Sequence, residues 1–267
     1  MLIERVEQRV LGALQLVDRV TRTPVTRALN ISADTATLVR NRRGLYVITQ
    51  ADGLEAHTGA FLQPPVTPAL EANEYSFEII DPQKRYLPRL LTLRLPRDPD
   101  PDNIGNDNSL FTAQEVLMYP ASVASLSHNW STVRVSVDQV GSSPVRGALI
   151  QIIDPAENRL LASGISDERG EALVIVPGVP VTRFADDEDG AHGHGHGGGG
   201  GGSPHDDEES PVLVNTLAVR LELSVGTTTP WPVNPDVLEQ NHVADRRVSI
   251  ELTLSTGRME KVAINLT

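Results

Sequence analysis

The chain has 267 residues, of which 39% are hydrophobic and 22% charged, with no cysteine and a formal net charge of -12. That is the composition of a soluble protein with room for two ordinary cores, and it excludes disulfides, thiolate metal sites and cysteine nucleophiles. The acidic balance argues against nucleic acid as a partner, since phosphate binding needs a basic face.

No apolar run approaches the roughly 20 residues needed to span a bilayer. Arg5, Glu7, Arg9 and Asp18 interrupt the first twenty residues. The expectation is therefore no signal peptide, and a place in the cytoplasm or in a particle assembled there. Ile3, Val6 and Val10 stand at helical spacing in residues 2–10. They suggest a short turn over the end of a domain, or an arm that docks on a partner subunit.

From Gly12 the pattern becomes that of strands. LQLVDRVTRTPVTRALNISA predicts two strands joined across Arg19 to Pro24, and TATLVRNRRGLYVITQ predicts a hairpin turning at Asn41 to Gly44. Residues 51–73 are a Pro-rich loop. Tyr75-Phe77-Ile79 and Leu91-Leu93-Leu95 alternate around the turn Asp81-Pro82-Gln83-Lys84, and 113–119 can close the unit. Residues 120–129 are the best domain boundary.

Within 133–178 four alternating runs are separated by Gly, Pro, Asn and Asp clusters. Here a repeat emerges. Pro24-Val25-x-x-Ala28-Leu29 matches Pro144-Val145-x-x-Ala148-Leu149, and a turn glycine follows in each copy, Gly44 after Arg43 and Gly170 after Arg169. Both glycines can supply the positive φ that a tight turn needs.

The second copy resembles the carboxypeptidase regulatory-like, or transthyretin-like, group of immunoglobulin-type sandwiches. The resemblance covers roughly 45 residues. It rests on Val133-x-Val135-x-Val137, Gly141-x-x-Pro144-Val145-x-Gly147-Ala148 and Ser166-Asp167-x-x-Gly170. The first copy departs from the pattern, with Arg27 before Ala28 and Asn41 in place of the turn aspartate. The resemblance implies an all-β fold of two tandem immunoglobulin-like β-sandwiches. The first would span 1–120 with its N-terminal arm, and the second 121–267, interrupted by a His/Gly/acidic loop at 183–211. About seven strands are expected in each half. Pro24, Gly44, Gly141, Pro144, Gly147, Asp167 and Gly170 are then structural turn residues.

Past the loop, 217–225 alternates again. Asn234 caps a predicted helical turn that opens on Pro235, and 248–254 with 262–266 predict a closing hairpin at Thr256-Gly257. Trp130 and Trp231 fit as plugs at the ends of the sandwiches.

Chemistry has few candidates. His192, His194, His196 and His205 are candidate metal ligands, but a Gly-rich chain offers no fixed second shell, so a solvated linker is expected and no cofactor. His57 and His128 read as surface residues. Asp98, Asp100 and Asp102 have the opening spacing of an EF-hand loop, yet Gly105 falls off the sixth position and Ser109 stands where a glutamate belongs. A solvated turn is the better expectation. No nucleophile elbow, zincin helix or phosphate loop is present, so catalysis is not expected.

The expected function is a non-catalytic structural or adaptor protein. It would contact other subunits through sheet edges, loops or the arm. Tandem sandwiches of this kind look similar to accessory parts of phage-tail-like contractile injection particles. Two alternatives stay open: an extracellular carbohydrate- or surface-binding module, and an accessory domain protein of an enzyme encoded elsewhere.

Overall fold

The structure is a computed structural model. It describes residues 9–59, 65–124, 130–141, 143–179, 182–183, 213–214, 216–226 and 230–267. The fold is all-β.

The first half contains β1 (Gly12–Asp18), β2 (Asn30–Ser32), β3 (Ala36–Arg40), β4 (Tyr46–Ala51), β5 (Asn73–Ile80), β6 (Arg89–Leu95) and β7 (Gln114–Met118), with a short helix α1 (Glu55–Gly59) in the Pro-rich loop. One sheet runs β3-β4-β1-β7 and the other β2-β5-β6. Strict alternation turns Leu14 and Leu16, Tyr75, Phe77 and Ile79, and Leu91, Leu93 and Leu95 inward, and they join Ile48, Val116 and Met118 in one core. Each such side chain contributes about 1.5–3 kcal/mol by leaving water.

The second half contains β8 (Ser131–Gln139), β9 (Ser143–Pro144), β10 (Leu149–Asp154), β11 (Arg159–Ile165), β12 (Glu171–Val176), β13 (Thr182–Arg183), β14 (Leu213–Val214), β15 (Thr216–Ser224), β16 (Arg246–Ser255) and β17 (Met259–Leu266), with α2 at Pro235–Asn241. Its sheets run β11-β10-β15-β16 and β12-β8-β17. Val133, Val135, Val137, Ile150, Ile152, Val174, Leu221 and Leu223 form its core. Every buried residue of the first core lies at or before Met118 and every one of the second at or after Val133.

The two halves share a strand order. In the first, β1 lies between β4, antiparallel, and β7, parallel. In the second, β8 lies between β12, antiparallel, and β17, parallel. The third strand differs: β3 joins β4, whereas β11 joins β10 in the opposite sheet.

The sequence-based closing hairpin needs correction. β16 and β17 are consecutive but do not pair; β16 adds to β15 and β17 runs parallel to β8. Alternation tells which face of a strand is apolar and says nothing about which neighbour takes its hydrogen bonds. The 183–211 loop leaves and returns through the two-residue ladder Thr182–Val214 and Arg183–Leu213; residues 184–211 lie outside the described residues.

Candidate interaction surfaces

The repeat motif builds the same two turns in both halves. At the first turn Val25 N–H donates to Leu16 O and Val145 N–H to Val137 O, each at 2.8 Å. Pro24 bridges Val17, and Pro144 pairs with Asp138. At the second turn Asn41 Oδ1 accepts from the N–H groups of Arg43 and Leu45. Asp167 Oδ1 accepts likewise from Arg169 and Glu171. Asparagine and aspartate close this turn in the same way because each carries an acceptor oxygen on Cγ, within reach of the backbone N–H groups two and four residues on. Gly44, Gly141, Gly147 and Gly170 all have positive φ. Arg27, which stands where the second copy has Gly147, does not; its guanidinium instead reaches Asp81 Oδ2 at 2.5 Å and lies over the Tyr86 ring.

Between the halves the contact is buried and specific. Leu87, Tyr119 and Ala121 pack with Leu149, Ile165 and Val233, against partly buried Trp231 and Leu238. The segment ahead of α2 runs along β6, where Leu90 N–H donates to Val233 O at 2.7 Å. Asn234 caps α2 through the N–H of Asp236, with Pro235 in the first turn, as its sequence predicts. Asp236 then pairs with buried Arg89 at 2.7 Å. Arg19 donates to Ser163 Oγ and to Glu239 Oε1, both at 3.1 Å, and Tyr119 OH also donates to Glu239. Burial pushes the Tyr119 phenol well above its ordinary pKa, and the adjacent Glu239 charge adds to it. Trp231 therefore belongs to the seam between the halves rather than to the end of one of them.

A crevice of about 540 Å³ opens along this seam, between the Asp81 and Asp167 turns, with Tyr86, Leu87 and Trp231 in its wall. Asp81 is buried and its carboxylate accepts from the N–H groups of Gln83, Arg85 and Tyr86. Asp167 accepts from Ser122 Oγ at 2.8 Å, which ties the linker to the turn. Burial alone would raise the Asp167 pKa; the hydrogen bonds from Ser122, Arg169 and Glu171 outweigh it and hold the carboxyl below the ordinary range. A lowered folded-state pKa contributes stability that is complete above the unfolded value of about 3.9 and is lost as pH falls from there through the folded value. Asp167→Asn should remove that part of the acid dependence, so wild type and variant converge in stability as urea titrations are repeated at falling pH. A gap that stays constant with pH would contradict the assignment.

A second cavity, about 340 Å³, lies beside Val10, His57, Pro68, Leu70, Pro96 and Leu110. His57 was expected at the surface but is 5% exposed, because α1 turns it inward. Burial lowers its pKa, the Arg9 charge lowers it further, and its Nδ1 meets no hydrogen-bond partner among the described residues.

The Asp98 loop is not a solvated turn. Asp98 is buried and accepts from Asp100 N–H and Asn103 Nδ2, while buried Arg97 donates to the carbonyls of Ser109 and Asp107. Asp100 caps a 3-10 turn at Pro101–Asn103, and Asp102 is exposed. Asp98 and Asp100 each satisfy a backbone donor of their own loop. Among the described residues no group of three or more His, Cys, Asp or Glu converges. His128, His192, His194, His196 and His205 lie outside them, as do residues 1–8 of the N-terminal arm. No described helix is long and apolar enough to cross a membrane.

No family model matches the chain, and no curated protein does. Among solved structures it is similar to the Bacillus anthracis TIE protein, at 9% identity and a TM-score of 0.28, over 97% of this chain and 34% of that one. It is also similar to the SpaE basal pilin of Lactobacillus rhamnosus GG, at 12% identity and a TM-score of 0.14, over 84% of this chain and 66% of that one. The chain thus spans about a third of the first and just under two thirds of the second.

Proposed function

We infer that the protein is a non-catalytic structural adaptor built of two tandem immunoglobulin-like, transthyretin-like sandwiches, joining other subunits in a larger assembly. The observation that carries this reading is the seam. A buried apolar cluster, the Arg89–Asp236 pair and the Arg19–Glu239–Tyr119 network join two halves whose strand orders differ only in the place of β3 and β11. A rigid pair holds its free sheet edges and loops at fixed separation, which is what a connector needs. A phage-tail-like contractile injection particle is the setting this reading favours.

A tagged chain purified from its native host should bring down a protein partner in fixed stoichiometry, and should sediment with particles where these form. Recovery of the chain alone, at working concentration, would overturn the adaptor reading. Recovery with an active hydrolase would point instead to an accessory domain protein. The half-buried Trp231 beside the seam crevice is the one observation favouring a glycan-binding module. A positive glycan array that is lost in Trp231→Ala would establish it.

A further inference from the structure

The two halves treat their next-to-last strand, β6 in the first and β16 in the second, differently. In the first half the segment from β6 to β7, residues 96–113 (113 − 96 + 1 = 18 residues), runs beside β6. Asn106, Asp107 and Asn108 wall the cleft beside Leu91 and Leu93, and those leucines are buried. In the second half the equivalent connection, from β16 to β17, is residues 256–258 (258 − 256 + 1 = 3 residues). It is too short to cover anything. Because β9 shares one flank of β8 with β12, the sheet β12-β8-β17 is three strands wide, against four in the sheet it faces. The two are aligned where Gly164 of β11 meets Leu173 and Val174 of β12, so β16 overhangs at the other end. Its inward Val248, Ile250 and Leu252 are only half-buried, as are Val262 and Leu266 of β17. A groove of about 420 Å³ opens beside Val248 and Leu266.

Among the described residues no strand pairs with the outer edge of β17. Leu266 O accepts from Val140 N–H and Arg258 O from Thr132 N–H, so the even-numbered residues of this strand turn their backbone groups toward β8. The odd-numbered Met259, Lys261, Ala263 and Asn265 turn theirs outward, and their side chains are exposed. An apolar stripe at every second residue beside such an edge fits one more extended strand.

We propose that this strand is β17 of a second copy, paired antiparallel about a two-fold axis at Ala263. This rests on the adaptor reading and specifies one of its surfaces. Antiparallel pairing centred on Ala263 sets outward-facing residue against outward-facing residue: Ala263 opposite its own copy and Lys261 opposite Asn265. The smallest side chain of the strand sits at the axis, and no like charges meet. A register centred on Lys261 would oppose two ammonium groups, which is destabilising. On the inner face Val262 meets Ile264, and the incoming Val262, Ile264 and Leu266 bring aliphatic side chains to Val248, Ile250 and Leu252. What the first half supplies from its own 96–113 segment, the second takes from its twin.

Sedimentation of the full chain over a concentration series should show a dimer. It should tighten as salt is raised, because two copies of net charge -12 repel at long range. Hydrogen exchange at the amides of Lys261, Ala263 and Asn265 should slow about tenfold or more as dimer forms, reporting a closed edge. Ala263→Lys places like charges face to face and should weaken association at least about tenfold, without lowering the melting temperature of the monomer. Ala263→Pro removes an outward N–H that makes no bond to β8 and should act likewise. A monomer with concentration-independent exchange overturns the proposal, and so does a dimer that survives both substitutions. Edge amides protected at every concentration in a monomer would mean the chain covers its own edge, which also overturns it. Should the variants fail to fold, the exchange of the wild type decides. A monomer that still captures a host protein would sink this proposal and leave the adaptor reading standing.

Discussion

Gly170→Ala should lower the stability of the second half by about 2–5 kcal/mol, and Gly44→Ala at the equivalent turn of the first half by only about 1–2 kcal/mol. Both glycines are left-handed, with φ of +72° and +86°, so each alanine meets the same backbone penalty of about 1–2 kcal/mol. The surroundings separate them. A Cβ on Gly170 would stand 2.4 Å from Val137 O, 3.1 Å from Pro144 Cβ and 3.2 Å from Val145 N. None of these is the free end of a flexible side chain; all belong to β8 and the turn after it, which pack onto the Asp167 turn. Relieving the overlap means pulling the two turns apart, against the Val137 N–H to Gly170 O bond at 2.9 Å. Such overpacking costs about 1–3 kcal/mol beyond the backbone term. At Gly44 the nearest atom is an Arg40 guanidinium nitrogen at 3.4 Å, which can swing away. Urea titration of both variants, with Gly141→Ala as an open-space control, measures the difference. Equal losses at Gly44 and Gly170 would show that the close packing of the two turns carries no cost.

That contrast marks how far the chain could be read from its residues. Turn chemistry and alternation are local, and local signals survive into the structure: Asn41 and Asp167 close the same turn, Asn234 caps α2, and Val133, Val135 and Val137 face one core. Choice of sheet is not local. The same four-residue turn leads from β3 to β4 inside one sheet and from β11 to β12 across two. The parallel partners of β7 and β17 were equally invisible, since a period of two reports which face is buried and not which strand lies alongside. His57 reads as a surface residue because it sits among polar and Pro-rich neighbours, whereas α1 turns it inward against the cavity wall. The seam was hidden for a third reason. Its ionic partners, Arg89 with Asp236 and Arg19 with Glu239, are separated by 147 and 220 residues, and each reads in sequence as an ordinary surface charge.

Arg89→Leu should uncouple the two halves and destabilise the protein by about 3–6 kcal/mol, because two backbone carbonyls lose a charged donor at about 1.5–3 kcal/mol each. Among the described residues Arg89 is the largest of the fully buried side chains, at 2% exposure. Its guanidinium donates to Leu117 O at 2.6 Å, to Leu90 O at 3.3 Å and to Asp236 Oδ2 at 2.7 Å. Leucine fills much of the stem volume but leaves the Leu117 carbonyl, at the end of β7, without that donor. It also leaves α2 without its anchor on β6. Asp236→Ala tests the same pair from the other side and should cost less, about 1–3 kcal/mol, because the carboxylate is half exposed and water already screens it. The order of the two losses follows from burial: removing the exposed partner leaves a guanidinium still held by two carbonyls, whereas removing the buried one empties the centre of the seam. Calorimetry distinguishes this from a general loss of packing. With the seam cut, the halves should melt in two transitions, each keeping its own core, and small-angle scattering should report a longer particle at temperatures below both. A single transition in Arg89→Leu, with unchanged dimensions, would mean that the apolar cluster around Tyr119, Ile165 and Val233 holds the halves together without the ion pair.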